Sequence, residues 1–371
     1  MVPNHNPQIL MLEGSLPFRQ NGFVMHRKLI LLAVVLVATT PPLCAQAPKP
    51  APGAFSRALE IQTASLSMRY RYIKNSQGVV TSDHLQHREV FSGRLKFDNA
   101  GRFSLNAKAA SGSNFIGSWN NTGIGTGTIS TNLHLEHLFL AAEPVKGMEL
   151  QVGGMDVMRG ENTEITSFDN DAYIVAERLR IRRPKDVFFD DIAVTFGFLG
   201  DTAQPDLRKR FHRLKQSNYH QFLVAKKLGK RAAVSMDYTF QSGAETLRES
   251  ISVQTPELHF LDSVRVENYQ RMDVRRNAGL AFTAEKKPVK KLTLSGGFAR
   301  VDRSYGGLNA DRMQSGNRLF FTGTVAVTTE FTVATFLTHT VGTQTALPIA
   351  GRYELVFAYN LLPGLKRTGL F

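Results

Sequence analysis

The stretch Leu150-Gln-Val-Gly-Gly-Met-Asp-Val-Met-Arg-Gly-Glu-Asn-Thr-Glu-Ile-Thr-Ser-Phe-Asp-Asn-Asp-Ala-Tyr-Ile-Val-Ala-Glu-Arg-Leu-Arg-Ile-Arg-Arg183 decides how the chain is read. It opens as a strand (Leu150–Gly153), runs through a polar acidic loop (Met155–Ala172), and returns as a second strand from Tyr173. There Arg178, Arg180 and Arg182 alternate with Leu179 and Ile181. Side chains on a strand alternate faces, so three guanidiniums line one face about 7 Å apart while aliphatic groups cover the other. A soluble sheet tolerates such a wet face. The rest of the chain has to say whether the apolar face meets a core, water or lipid.

The N-terminus points outward from the cell. Met25-His-Arg-Lys28 is basic, Leu29–Ala38 is an unbroken apolar run, and small residues follow up to Ala45. That is the layout of a secretory signal peptide, and the run is shorter than the roughly 20 residues of a membrane-spanning helix. The expected division is an upstream extension (1–24) before the natural start at Met25, a signal peptide (25–45), a Pro/Ala linker (46–57) and one structural unit (58–371). Cleavage after Ala45 removes Cys44, the one cysteine, so no disulfide contributes to stability. The formal charge of +14 falls only to +12 on cleavage, which takes Arg19, Arg27 and Lys28 against Glu13. In an exported chain such an excess points to anionic solutes or lipid headgroups, not to nucleic acid.

Period-two alternation then runs nearly to the end. Ile61–Tyr72, Phe91–Phe97, Phe103–Ala109, Leu133–Ala142, Met148–Gly153, Ile192–Phe198, Tyr219–Lys227, Ala232–Phe240, Leu247–Val253, Gly279–Ala284, Leu292–Phe298, Leu319–Val327, Thr332–Val341 and Tyr353–Leu361 each set apolar residues against a second, more polar set. Val264–Tyr269 is weaker. With the arginine strand the count is about 16, or 14 if the weakest are discounted, and no helix-period run follows the signal. Connections alternate in length. Asp98–Gly101, Glu143–Gly147, Arg183–Asp186, Leu228–Arg231, Lys286–Lys291 and Thr328–Glu330 are short, and most of those between them are long and polar. Tyr70, Tyr72, Phe97, Phe103, Phe240, Phe298, Tyr353 and Tyr359 sit near strand ends.

On these features the chain from Ile61 to Phe371 resembles a Gram-negative outer-membrane β-barrel of porin type. Its expected class is all-β, a closed antiparallel transmembrane barrel. In hydrocarbon every backbone N–H and C=O must be paired internally, so the sheet closes. The polar second set makes the interior wet or plugged. One departure is Leu362-Pro-Gly-Leu-Lys-Arg-Thr-Gly-Leu-Phe371, which interrupts the last alternation and obscures the closing strand.

The reading of the sites follows. Arg178, Arg180 and Arg182, with Arg69, Arg71, Arg94, Lys96 and Lys108, are expected to form a basic lumen wall, because rings of Arg and Lys favour anions. The plain alternative is a solvated charged face. The loop acids Asp156, Glu161, Glu164, Asp169 and Asp171 lie in the third long loop. The resemblance implies that this loop folds into the lumen as a constriction. An external loop binding divalent cations is the alternative, without the ligand spacing of an EF-hand. Gly123–Gly127 lacks the following helix of a phosphate loop. His134 and His137 fall on opposite faces of a regular strand, and Asp190-Asp191 reads as turn residues. His220 and Ser235, on adjacent strands, are the residues nearest to a hydrolase pair. The expected function is passive outer-membrane diffusion of small hydrophilic, preferentially anionic solutes. It needs no cofactor or metal, its surroundings are outer-membrane lipid, and a homo-oligomer is compatible with it. Alternatives are a closed barrel with a structural, adhesive or assembly role carried by Ser111–Asn132 and Gly200–Asn218, and a soluble secreted β-protein.

Overall fold

The computed structural model describes residues 58–112, 119–167, 173–182, 187–199, 204, 206–211, 217–274, 278–302, 313, 316–342 and 349–368. The expected signal and linker, with Asp169 and Asp171, lie outside them. The alternating segments form β1 (Leu59–Lys74), β2 (Val80–Lys96), β3 (Phe103–Ser111), β4 (Asn120–Gly125), β5 (Leu133–Val145), β6 (Met148–Asp156), β7 (Tyr173–Arg182), β8 (Asp191–Phe198) and β9 (Tyr219–Leu228). They continue as β10 (Ala232–Gln241), β11 (Ala244–Gln254), β12 (Ser263–Arg271), β13 (Ala278–Val289), β14 (Leu292–Val301), β15 (Gly316–Ala326), β16 (Phe331–Thr340) and β17 (Gly351–Asn360). Neighbours pair antiparallel around the sheet, and β17 returns to pair with β1 from Ser65↔Asn360 to Lys74↔Gly351. The result is a closed barrel with 16 strands in its wall. Closure leaves the wall without an unpaired edge, the condition a sheet must meet in lipid.

β4 is the extra strand. β2 runs well beyond the end of β3, which stops at Ser111. The backbone groups of β2 left uncovered there are met by β4, with His84 opposite Gly125 and His87 opposite Asn120. The sequence pattern starts β2 at Phe91, with Lys74–Asp83 reading as a polar loop and 84–90 unassigned. The reason is visible in the fold: Asp83, His87 and Glu89 share a face with Leu85 and Phe91, so both faces of this half-strand carry polar groups. β12 is weak in the pattern because Asn268 and Gln270 follow Val264 and Val266 on one face, yet it is a full strand, paired along its length with β11 and β13. β17 closes the barrel. Past it the chain turns into a short helix, α1 (Leu362–Arg367), with Pro363 in its first turn and the Leu361 N–H donated to the Ala64 carbonyl at 2.8 Å. The interrupted terminal alternation is this helix.

The short connections predicted from sequence gather at one end of the barrel and the long ones at the other. The outer face is apolar: Leu150, Val152, Phe196, Phe222, Met236, Leu280, Phe282, Leu319, Phe321 and Phe357 are all exposed. The inner face buries Asp237, Glu267, Arg318 and Glu354. This is the inverse of a water-soluble sheet. A wall of about 16 strands is wide enough to leave an aqueous lumen. Among the described residues no helix is long and apolar enough to cross a membrane.

Two outward acids test the register. Glu177 lies between Val152 and Phe196 and is exposed on the outer face, as the alternation requires. Two pairs toward the loop end, on the same face, Gly154 and Val175 pack with Leu207 from the β8–β9 loop. A Cβ on Gly154 would stand 2.1 Å from the Leu207 side chain, so any larger residue would have to displace that leucine. That loop carries Arg208 and Lys209 on a 3-10 turn, so charged groups follow directly on the residue that meets Gly154. The cost of an outward charge falls steeply near such an interface. Glu249, between Met236 and Asn268, receives a hydrogen bond from Asn268 Nδ2 at 3.3 Å.

Candidate functional site

The loop that follows β6 runs back into the lumen. It leaves at Asp156, whose carbonyl accepts from Arg178 Nη2 at 2.5 Å. The wall then takes hold of it residue by residue. Gln221 Nε2 donates to the Met158 carbonyl at 2.8 Å, and the Glu161 N–H donates to Ser235 Oγ at 2.8 Å. Thr163 donates both its N–H and its hydroxyl to the Glu267 carboxylate, the hydroxyl at 2.7 Å. Arg248 Nε donates to the Thr166 carbonyl at 2.9 Å. Gly160, with φ +58, presses against Ser235: a Cβ there would fall 2.7 Å from its Oγ. At the far end Ile165 packs into an apolar cluster with Ala281, Ala299, Met313, Phe320 and Phe336. The loop therefore spans the inside of the wall from β6 to β16.

The anchors are themselves braced. Arg248 Nη1 reaches Asp237 at 3.4 Å and Thr239 at 2.9 Å, and Gln221 donates to Asp237 at 3.0 Å. All of these side chains are buried. Beside the loop a cavity of about 340 Å³ is lined by Glu161, Glu164, Ile165, Arg265, Phe320 and Phe336, among others. Glu161 also accepts from Ser252 Oγ at 3.1 Å and lies 3.9 Å from Arg265. Two of the predicted loop acids thus stand against β11–β16. Asp156 stays at the loop's root, 3.7 Å from Arg178.

The predicted bases separate into two groups. Those of the arginine strand face inward, each beside acceptors. Arg178 donates to Thr195 and Gln151 as well as to the loop, Arg180 pairs with Asp191 at 2.5 Å, and Arg182 pairs with Glu149 at 2.8 Å. Lys96 pairs with Glu60 at 2.8 Å, Lys108 with Glu136 at 2.9 Å, and Arg94 donates to the Gly101 carbonyl. Arg69 and Arg71 instead join residues the motif reading passed over. Arg69 Nη1, Arg71 Nε and Arg352 Nη2 approach one oxygen, Glu354 Oε1, at 3.2, 2.7 and 2.7 Å. Arg318, on β15 two strands beyond β17, is fully buried and donates to the Ile349 carbonyl at 2.6 Å. Trp119 lies over the Arg69 guanidinium at 4.2 Å, with Arg88 on the same ring at 6.0 Å, and Phe336 stands 5.9 Å from the Arg352 guanidinium. Glu354 belongs to the polar set of the Tyr353–Leu361 segment, and Arg352 lies just before that segment. Nothing local to them announced that β17 would close onto β1.

The enzyme pair does not assemble. Ser235 lies on the inner face bonded to Ser250 and the loop, whereas His220 lies on the outer face between Phe196 and Phe240. The expectation for His134 and His137 needs correction: a register shift opposite Ala109 sets them across from Ala110 and Lys108, which share a face. Among the described residues no group of three or more His, Cys, Asp or Glu could hold a metal ion. Asp190 accepts from the Lys227 N–H at 2.7 Å as a turn residue. That bond, with Lys226 beside it, holds its carboxyl below the usual range.

No family model and no curated protein matches the sequence. Solved structures do match the fold. A triple mutant of Rhodopseudomonas blastica porin superposes with a TM-score of 0.54 at 9% identity, covering 81% of this chain and 100% of that one. The fold is that of the porin barrels. A quintuple mutant of the same porin gives 0.52 at 10% identity with the same coverage. A third match, at 0.53 and 9% identity, is described by the asymmetric conductivity of engineered proteins. At such identities the porin fold is shared, and the chemistry of this lumen has to be argued from its own residues.

Proposed function

We propose that this chain is an exported outer-membrane channel of porin type, through which small hydrophilic solutes diffuse passively and anions are favoured. The observation that carries this is the pairing of an in-turned loop with a guanidinium cluster on the wall beyond it. The loop narrows the lumen where Ile165 packs on the wall, and Arg69, Arg71 and Arg352 converge on the Glu354 carboxylate, with Arg318 on β15 beyond them. Field lines concentrate in a cleft lined by one sign of charge, raising the local concentration of counter-ions. The motor is the concentration gradient, and the chemistry asks for no cofactor. An apolar outer band with outward aromatics at both ends, such as Tyr70 against Tyr353 and Phe331 against Phe357, suits a lipid surround.

The basic wall proposed here is centred on β1, β15 and β17, with the arginines of β7 as a second, acid-matched stripe. Glu161 and Glu164 are the proposed acidic side of the constriction. Self-association belongs to the same reading. A groove of about 470 Å³ on the outer wall, lined by Val224, Met236, Glu249, Ile251, Val266 and Asn268, offers polar groups a place to meet another subunit. Swelling of proteoliposomes in solutions of graded neutral sugars tests the open lumen. Small sugars should enter and larger ones should be excluded. Swelling no faster than that of empty vesicles would favour a closed, structural barrel.

A further inference from the structure

We propose that the cavity between the in-turned loop and β11–β16 is a binding seat for a neutral, polyhydroxylated solute the size of a single sugar ring. This rests on the channel reading above and names a class of solute that the lumen would hold in passage. The cavity, about 340 Å³, is near the lower end of the range for small-molecule sites. Its wall side is built from two cross-strand rows of inward side chains. One row runs Gln254, Ser263, Glu285, Ser295, Thr322 and Phe336, each opposite the next across an antiparallel pair. The other runs Ser252, Arg265, Thr283, Gly297 and Phe320. Opposed residues stand about 5 Å apart, so polar groups recur at a spacing that one pyranose can bridge.

The polar groups near the loop are unequally employed. Ser235 and Ser252 are bonded to Glu161, and Glu267 takes the Thr163 hydroxyl. Among the described residues no hydrogen bond takes up the side chains of Gln254, Ser263, Ser295 or Thr322, and none of these four is buried. They are open to a solute. The charges on the cavity are of both signs. Glu161 lies 3.9 Å from Arg265, and Glu285 stands 3.1 Å from Lys287. An anion entering here meets the carboxylates, and a cation meets the Arg265 guanidinium. A hydroxyl donates to the one and accepts from the other, and hydrogen bonds to charged groups are the stronger kind. The far end of the cavity is apolar, closed by Ile165, Phe320 and Phe336. Gly297 lets the Phe320 ring lie across β14, since a Cβ there would stand 2.8 Å from it. A sugar ring has the same two-sided character, with C–H faces and a hydroxylated rim.

The test uses the full chain in planar bilayers in potassium chloride, with D-glucose as the probe. A polyethylene glycol of similar mass, which lacks the ring of hydroxyls, is the reference. Glucose should reduce the open-channel current saturably, beyond the fall in bulk conductivity. The glycol should reduce it only in proportion to that fall. S295A and T322A each remove one open hydroxyl and no anchor of the loop. Each should raise the half-saturating glucose about three- to tenfold, the value of one hydrogen bond. Half-saturation is read against each variant's own sugar-free current, so a change in conductance does not enter it. A glucose effect no larger than the bulk correction, or an S295A/T322A variant with the half-saturation of wild type, would overturn the proposal. Saturable block by glycine without one by glucose would overturn the polyol assignment in favour of a zwitterion. If the double variant forms no barrel, the wild-type titration and the single variants decide. Absence of conductance steps in sugar-free potassium chloride sinks the channel reading and this inference with it. Steps without saturable glucose block sink this inference alone.

Discussion

Glu267 and Arg248 are the residues on which the in-turned loop depends. Glu267 takes two donors from Thr163, and E267Q weakens both bonds without changing the side chain's size. The expected outcome is a barrel of unchanged stability whose single-channel current becomes noisier, recorded at fixed voltage, with T163A reproducing the effect. R248M is harsher. It strands Asp237, fully buried, without its cation, which costs about 3–5 kcal/mol for a broken buried pair. The thermal transition of R248M in detergent should fall accordingly, and R248M with D237L should recover much of it. At the loop rim Asp273 is held down to about 2, chiefly by its hydrogen bond from Arg271. A depressed value means that its stabilisation is present above the unfolded aspartate value of about 3.9 and is lost as pH falls through the folded one. The thermal deficit of D273N should therefore be constant from neutrality down to about pH 4 and vanish near pH 2.

At the scale of elements, the alternation of apolar and polar residues identified every strand of the wall, because a closed barrel needs one uniform apolar face. What it could not show was lateral order away from hairpins. Arg71 and Glu354 stand 283 positions apart in sequence and are neighbours only because the barrel closes. For the same reason the arginine strand looked like the dominant basic wall. Its acids, Asp191 and Glu149, sit on the strands either side, and their alignment depends on register. The half-strand 80–90 stayed hidden because polar groups occupy both of its faces, and β4 because its glycines read as loop. The in-turned loop was legible as a place and as an acidic composition, but its anchors, Ser235, Arg248 and Glu267, lie on strands that contact it only in three dimensions. Gly160 gives the loop a direct test. G160A places a methyl against Ser235 at a φ that side chains resist, so it should lift the loop from the wall and raise single-channel conductance.

The opening stretch, 150–183, holds its meaning at the scale of the whole molecule. It contributes two wall strands, the root of the crossing loop and a stripe of inward arginines balanced by acids. The proposed basic face lies farther round, where β17 meets β1 and Arg69, Arg71 and Arg352 converge on Glu354. This predicts a division of labour between the two arginine groups. R180Q, which leaves Asp191 behind, should make the channel less anion-selective by a small amount, and R71Q with R352Q should reduce selectivity strongly. The measurement closest to the central claim is the reversal potential of the purified protein in a planar bilayer under a potassium chloride gradient. The account predicts discrete conductance steps with a reversal potential displaced toward that of chloride, and a displacement toward zero in R71Q/R352Q. Absence of steps, or a reversal potential on the potassium side, would contradict it.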